Sequence, residues 1–132
     1  MTAETQESLA GARVLVLEDE TLVSMMVEDM LLELGCEVLG PFAKLDQALD
    51  FVGRMDDGID AALLDVNLGG VRSFPMAEAL AGKGVPFVFT TGYDESGLPD
   101  AWRGRPTLRK PFMMGEMADA LRKALPEKHP SS

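Results

Sequence analysis

Apolar runs that stop abruptly in polar residues constrain this chain more than any other feature. Val14-Leu15-Val16-Leu17 runs into Glu18-Asp19-Glu20, Ala61-Ala62-Leu63-Leu64 into Asp65, and Phe87-Val88-Phe89 into Thr90-Thr91-Gly92. A shorter run, Thr107-Leu108-Arg109, leads into Lys110-Pro111-Phe112. Runs of this length, bounded by turn residues and separated by amphipathic stretches, predict buried parallel strands joined by helices. Parallel strands all end on one edge of their sheet, in the crevice where such folds bind ligands. Acids from two strand ends, a hydroxyl and a lysine then converge, which predicts a pocket that handles phosphate and binds a cation.

Composition narrows the class. A chain of 132 residues fits one domain with one core, and 46% hydrophobic but only 6% aromatic residues suits an aliphatic sheet under helices. A formal charge of -10 with scattered bases argues against a sequence-independent grip on nucleic acid, which needs clustered Lys and Arg. One cysteine, Cys36, excludes an internal disulfide, and no apolar segment approaches the roughly 20 residues that span a membrane. The polar, acidic start has no apolar signal core, so a cytoplasmic, soluble protein is expected.

The expected organisation is a loose tail over residues 1–11, a folded unit over 12–126 and a polar tail over 127–132. Residues 13–17 form the first strand. Residues 21–34 carry Leu22, Val23, Met26, Val27, Met30, Leu31 and Leu34 at helical spacing, and Gly35 caps that helix. A short second strand, 37–39, stops at Gly40-Pro41. The second helix spans 45–55 with Leu45, Ala48, Leu49 and Val52 as its buried stripe, and the third strand spans 60–64. Residues 66–74 read as a loop with Gly69-Gly70, followed by a helix that opens at Pro75 and runs to about Ala81. The fourth strand is 85–90. Residues 94–104 hold Gly97, Pro99 and Gly104, so a fourth helix there is short or mobile. A fifth strand, 107–109, and a last helix, 113–125, complete the chain.

The acids carry the sharpest chemistry. Two carboxylates ~5 Å apart at an effective dielectric near 20 repel by roughly 3 kcal/mol. A hard cation with oxygen ligands removes that cost for Glu18, Asp19 and Asp65, and Mg²⁺ suits a partly hydrated site of this kind; taken alone, Glu18 and Asp19 read equally well as caps of the following helix. Glu20 reads as a cap of the first helix. Lys110 can pair with an acid or a phosphoryl oxygen, and Pro111 is a candidate for a cis peptide bond that aims Lys110 inward. The Thr91 hydroxyl suits an anionic oxygen, whereas Thr90 points to the opposite face.

In this order the residues resemble the receiver domain of bacterial two-component response regulators from about Arg13 to Leu125. The resemblance implies a flavodoxin-like fold: a doubly wound α/β, five-stranded parallel sheet in the order 2-1-3-4-5. It implies Asp65 as phosphoacceptor, Lys110 and Thr91 as its partners, and Mg²⁺ held by Asp19, Asp65 and the backbone carbonyl of Asn67, with Glu18 acting through water. Thr91 and Tyr93 would form the switch. The family usually has Pro where this chain has Gly69, which implies a more flexible loop, and an aromatic residue where it has Thr107. The run from Pro86 to Tyr93 also resembles the Phe-Ala-Thr-Gly-Tyr signature of stand-alone receivers in alphaproteobacterial general stress response signalling, with Thr90 in place of Ala.

The expected function is that of a stand-alone response regulator in a phosphorelay, catalysing only its own phosphorylation and dephosphorylation. Its partners would be a sensor histidine kinase and a downstream phosphotransfer or regulator protein at the fourth helix, fifth strand and fifth helix, with no nucleic acid or membrane. A small phosphatase is the enzyme rival, but Asp65-Val66-Asn67 lacks the second acid of an Asp-x-Asp motif. An interaction module that is never phosphorylated is the other rival, and it has no need of a full Mg²⁺ site.

Overall fold

The computed structural model describes residues 9–55, 57–92, 98–102 and 104–125. Five strands form one parallel sheet: β1 (Arg13–Leu17), β2 (Glu37–Phe42), β3 (Ala61–Asp65), β4 (Phe87–Thr91) and β5 (Thr107–Arg109), in the order β2-β1-β3-β4-β5. The expected order is therefore found. Helices α1 (Thr21–Glu33), α2 (Leu45–Arg54), α3 (Phe74–Gly82) and α4 (Met114–Ala124) connect or follow the strands.

Alternation along the strands sorts the core into two layers, because successive side chains of a strand face opposite ways. Val14, Val16, Ala61, Leu63, Val88 and Leu108 pack with Val27, Leu31 and Leu34 of the α1 region and with Met117 and Leu121 of α4. Leu15, Leu17, Ala62, Leu64, Phe87 and Phe89 pack with Ala48 and Val52 of α2 and with Met76, Ala77 and Leu80 of α3. A sheet covered on both faces is why its strands read as unbroken apolar runs. Each buried Leu or Phe contributes about 1.5–3 kcal/mol of transfer free energy.

Several expectations are corrected. β2 does not stop at Gly40-Pro41 but continues to Phe42 through a cis Gly40–Pro41 bond and a register shift between Leu15 and Leu17. As an edge strand β2 tolerates a proline, and Gly40 takes a φ of 97° that suits glycine. The stripe on α1 is narrower than its apolar residues suggest: Val27 and Leu31 are buried, but Leu22 is 81% exposed and Met25 56%. The folded unit also begins earlier than residue 12. Leu9 is fully buried in the α1–α4 layer, and the Gly11 amide donates to the Gly35 carbonyl at 2.8 Å.

The expected loop over 66–74 contains a small antiparallel hairpin, Asn67–Leu68 with Val71–Arg72. Gly69 and Gly70 form its turn with φ of 61° and 98°, the positive values that a tight two-residue hairpin demands at both positions. Beyond β4, the described residues include a single 3-10 turn, Asp100–Trp102. Trp102 packs edge-on against Phe87 and Phe89 at centroid distances of 5.6 and 6.3 Å, so this end of the segment is tied to β4. Gly97 and the tail over 127–132 lie outside the described residues.

Replacing Gly69 by Ala forces a side chain into the left-handed region and sets its Cβ 3.4 Å from Asp19 Oδ2. The expected outcome is a loss of about 1 kcal/mol or more, read as a lower urea midpoint at unchanged slope. An unchanged midpoint would show that the hairpin turn does not need glycine there.

Candidate functional site

β1, β3 and β5 deliver the site residues to one edge of the sheet. Glu18 and Asp19 follow β1, Asp65 ends β3, and Lys110 follows β5. The Lys110 ammonium lies 2.9 Å from Glu18 Oε1 and 3.0 Å from Asp65 Oδ2, joining positions far apart in sequence. The Lys110–Pro111 bond is cis. Glu18 and Asp65 are both buried, an unusual state for acids unless they are paired.

Glu18, Asp19 and Asp65 each offer a carboxylate oxygen within 4.8 Å of the others. Lys110 alone does not balance three carboxylates, and the charge states register the surplus. Burial, then the Glu18 charge, raise the Asp65 carboxyl from its ordinary 3.8 to about 6, against the lowering effect of the Lys110 hydrogen bond. Asp19 is raised as well, by burial and then by Asp65. For Lys110, burial disfavours the charge, yet hydrogen bonds with Glu18 and Asp65 outweigh it and hold the ammonium protonated. An all-oxygen donor set carrying excess negative charge fits a hard divalent cation.

Backbone amides complete the frame. The Asn67 amide donates to Asp65 Oδ1 at 3.1 Å, and Asn67 Oδ1 accepts from the Gly70 amide at 2.7 Å, so the hairpin is tied to the Asp65 carboxylate. Thr90 stands opposite Asp65 in the sheet and is buried; Thr91 ends β4 half-buried, its carbonyl accepting from the Lys110 amide at 2.8 Å. Thr91 and Lys110 are thus held together through the backbone. Tyr93 lies outside the described residues.

Glu20 was expected to cap α1, and it does not. It occupies the N-cap position without a side-chain capping bond, and Oε1 lies 3.4 Å from Lys110 Nζ. Its neighbour in the turn, Glu18, accepts the Glu20 amide through Oε2 at 3.0 Å. Its place within a run of three acids was the one signal in the sequence. Beside it opens a cleft of about 370 Å³ lined by Val23, Met26, Gly92 and the Lys110-Pro111-Phe112 turn, which no sequence pattern announced.

Solved structures share this arrangement of strands and helices. SdrG from Sphingomonas melonis Fr1 is 46% identical, with 84% of this chain and 93% of that one covered and a TM-score of 0.75. The receiver domain of the PhyR response regulator of Erythrobacter litoralis is 27% identical (87% and 90% covered, TM-score 0.70). A response regulator receiver protein from Burkholderia phymatum is 26% identical (87% and 98% covered, TM-score 0.71). No protein-family model and no curated protein matches the chain.

The Asp65 shift has a testable sign. Its folded value lies above the ordinary one, so the contribution to stability is fully present below about pH 4 and is lost as pH rises through about 6. In chelator-treated protein, Asp65→Asn should therefore match the wild type near the acidic end and exceed it in melting temperature above pH ~6. Thermal melts across this range check it; a difference independent of pH would remove the charge argument.

Proposed function

Because the chain belongs to the response regulator receiver family, we propose that it accepts one phosphoryl group on Asp65 from a histidine kinase and signals by the conformational change that follows. The observation that carries this reading is the Lys110 ammonium 3.0 Å from Asp65 Oδ2, at a strand-end cluster of three carboxylates. A nucleophilic carboxylate, a cation on one side and an oxygen-only donor set on the other are what in-line phosphoryl transfer requires.

In the proposed step an Asp65 oxygen forms a bond to phosphorus as the phosphorus–nitrogen bond of the phosphohistidine breaks. The imidazole leaves with the bonding pair and is protonated. Lys110 exchanges its contact with Asp65 for one with a phosphoryl oxygen while retaining Glu18. Asp19, Asp65 and the Asn67 carbonyl would hold Mg²⁺ directly and Glu18 through water, and the ion when bound neutralises phosphoryl charge. The chemistry is confined to this chain's own Asp65, whose acyl phosphate is later hydrolysed by water to restore the carboxylate and release inorganic phosphate.

Readout would pass along β4. The Thr91 hydroxyl is the proposed donor to the new phosphoryl oxygens, with Tyr93 two residues on as the responding aromatic. Phe87 and Phe89 on the same strand carry Trp102, which supports a response in the 98–102 segment, and the proposed downstream partner surface includes β5 and α4. Likeness to the PhyR receiver, PhyR being described as a stress response regulator, supports a role in stress signalling. The exposed apolar side chains of Leu22, Met25 and Met113, near the cleft at Lys110, support docking of the kinase there.

Asp65→Ala should abolish acid-labile, hydroxylamine-sensitive labelling by a cognate kinase and by acetyl phosphate. Label persisting on another residue would overturn the assignment. Asp19→Asn should weaken Mg²⁺ binding by about tenfold or more, read from Trp102 fluorescence, and an unchanged affinity would remove Asp19 from the ligand set. Leu22→Asp should lower the rate of kinase transfer by about tenfold, far more than it lowers acetyl phosphate labelling. Equal losses with both donors would place the kinase elsewhere.

A further inference from the structure

Of the four acids at the strand ends, Glu18 and Asp65 are buried, Asp19 is half-buried and Glu20 is exposed. Its side chain is 64% exposed, against 4% for Glu18 and 5% for Asp65. It serves no capping role, and at 3.4 Å its contact with Lys110 is the longest of the three that the ammonium makes. It also lines the cleft that opens on Lys110. Charge accounting then isolates it. A divalent cation and Lys110 together balance Glu18, Asp19 and Asp65, which leaves Glu20 as the surplus negative charge at the entrance.

We propose that Glu20 is a specificity-determining residue that discriminates among phosphoryl donors by their charge. Its carboxylate disfavours small, freely diffusing dianions. A protein donor overcomes the same repulsion because its docking free energy comes from apolar contacts outside the cleft, on the side of Leu22 and Met25. The chain as a whole is acidic, at -10, but that long-range field is screened within roughly 8–10 Å in salt, whereas Glu20 acts inside that distance. The inference rests on Asp65 being the phosphoacceptor, and one arm of its test does not.

The first arm compares two small donors on wild type and Glu20→Gln. Acetyl phosphate is a dianion near neutral pH; its phosphorus–oxygen bond breaks as Asp65 attacks, and acetate leaves. Phosphoramidate carries one negative charge fewer; its phosphorus–nitrogen bond breaks and ammonia leaves. A charge about 7 Å from the donor in a water-like dielectric predicts that Glu20→Gln speeds labelling about tenfold for acetyl phosphate and about threefold for phosphoramidate at low salt. Both gains should shrink as salt is raised. A merely structural role for Glu20 would move both donors alike. The second arm needs no transfer: sulfate, a dianion, and nitrate, a monoanion, are titrated while the Gly92 and Lys110 amide resonances are followed. Glu20→Gln should tighten sulfate more than nitrate. Equal gains for the two charges, in either arm, overturn the proposal. If neither donor labels Asp65 in the wild type, the phosphoacceptor reading falls and the sulfate and nitrate titrations alone decide the role of Glu20.

Discussion

The Lys110 ammonium between Glu18 and Asp65 is the contact on which the site depends. Three strands bring acids and a base to one edge, and without that cation the buried carboxylates would face each other across a medium that screens poorly. Lys110 compensates part of the repulsion and leaves the rest, which appears as the raised affinity of Asp65 and Asp19 for protons. A cluster in this condition is prepared to take a further cation, and the same excess charge that destabilises it alone is what such binding relieves.

The surroundings hold the cluster in register without closing it. The hairpin after β3 ties Asp65 through the Asn67 amide, and its two glycines bring the chain back within reach of Asp19. On the other side the Lys110 amide is bonded to the Thr91 carbonyl, which joins the end of β4 to the base of the pocket. Along β4 the aromatic pair Phe87 and Phe89 seats Trp102, with the Arg105 guanidinium 4.5 Å above the Phe87 ring. In the proposed readout, packing at one end of this strand and the charged pocket at the other would carry a local electrostatic event toward the 98–102 segment.

The face of α1 near the site combines two kinds of surface. Leu22 and Met25 are apolar and exposed, while Glu20 at the helix start is charged. Apolar contact favours a large partner and charge disfavours a small anion, so one short helix start carries both preferences.

The sequence by itself determined the strand-and-helix order, the sheet order, the two-layered core and the edge at which Glu18, Asp19, Asp65 and Lys110 meet. The element order and the shared edge follow from local periodicity and from the rule that parallel strands end on one functional edge, whereas the sheet order and its two covered faces follow from the resemblance that the ordered motifs carry. What only the tertiary structure decided is which surfaces are covered. α1 has more apolar residues than the sheet beneath it can cover, so Leu22 is left outside while Leu9, in a segment that reads as a tail, fills the layer behind Gly35. Gly40-Pro41 reads as a stop, but pairing with β1 carries β2 through it to Phe42. Glu20 has the chemistry of a helix cap and turns instead to Lys110, ninety positions away in sequence, because a half-buried ammonium attracts it more than exposed amides do. Each of these outcomes depends on a neighbour that is distant along the chain, and no local pattern records which neighbour that will be.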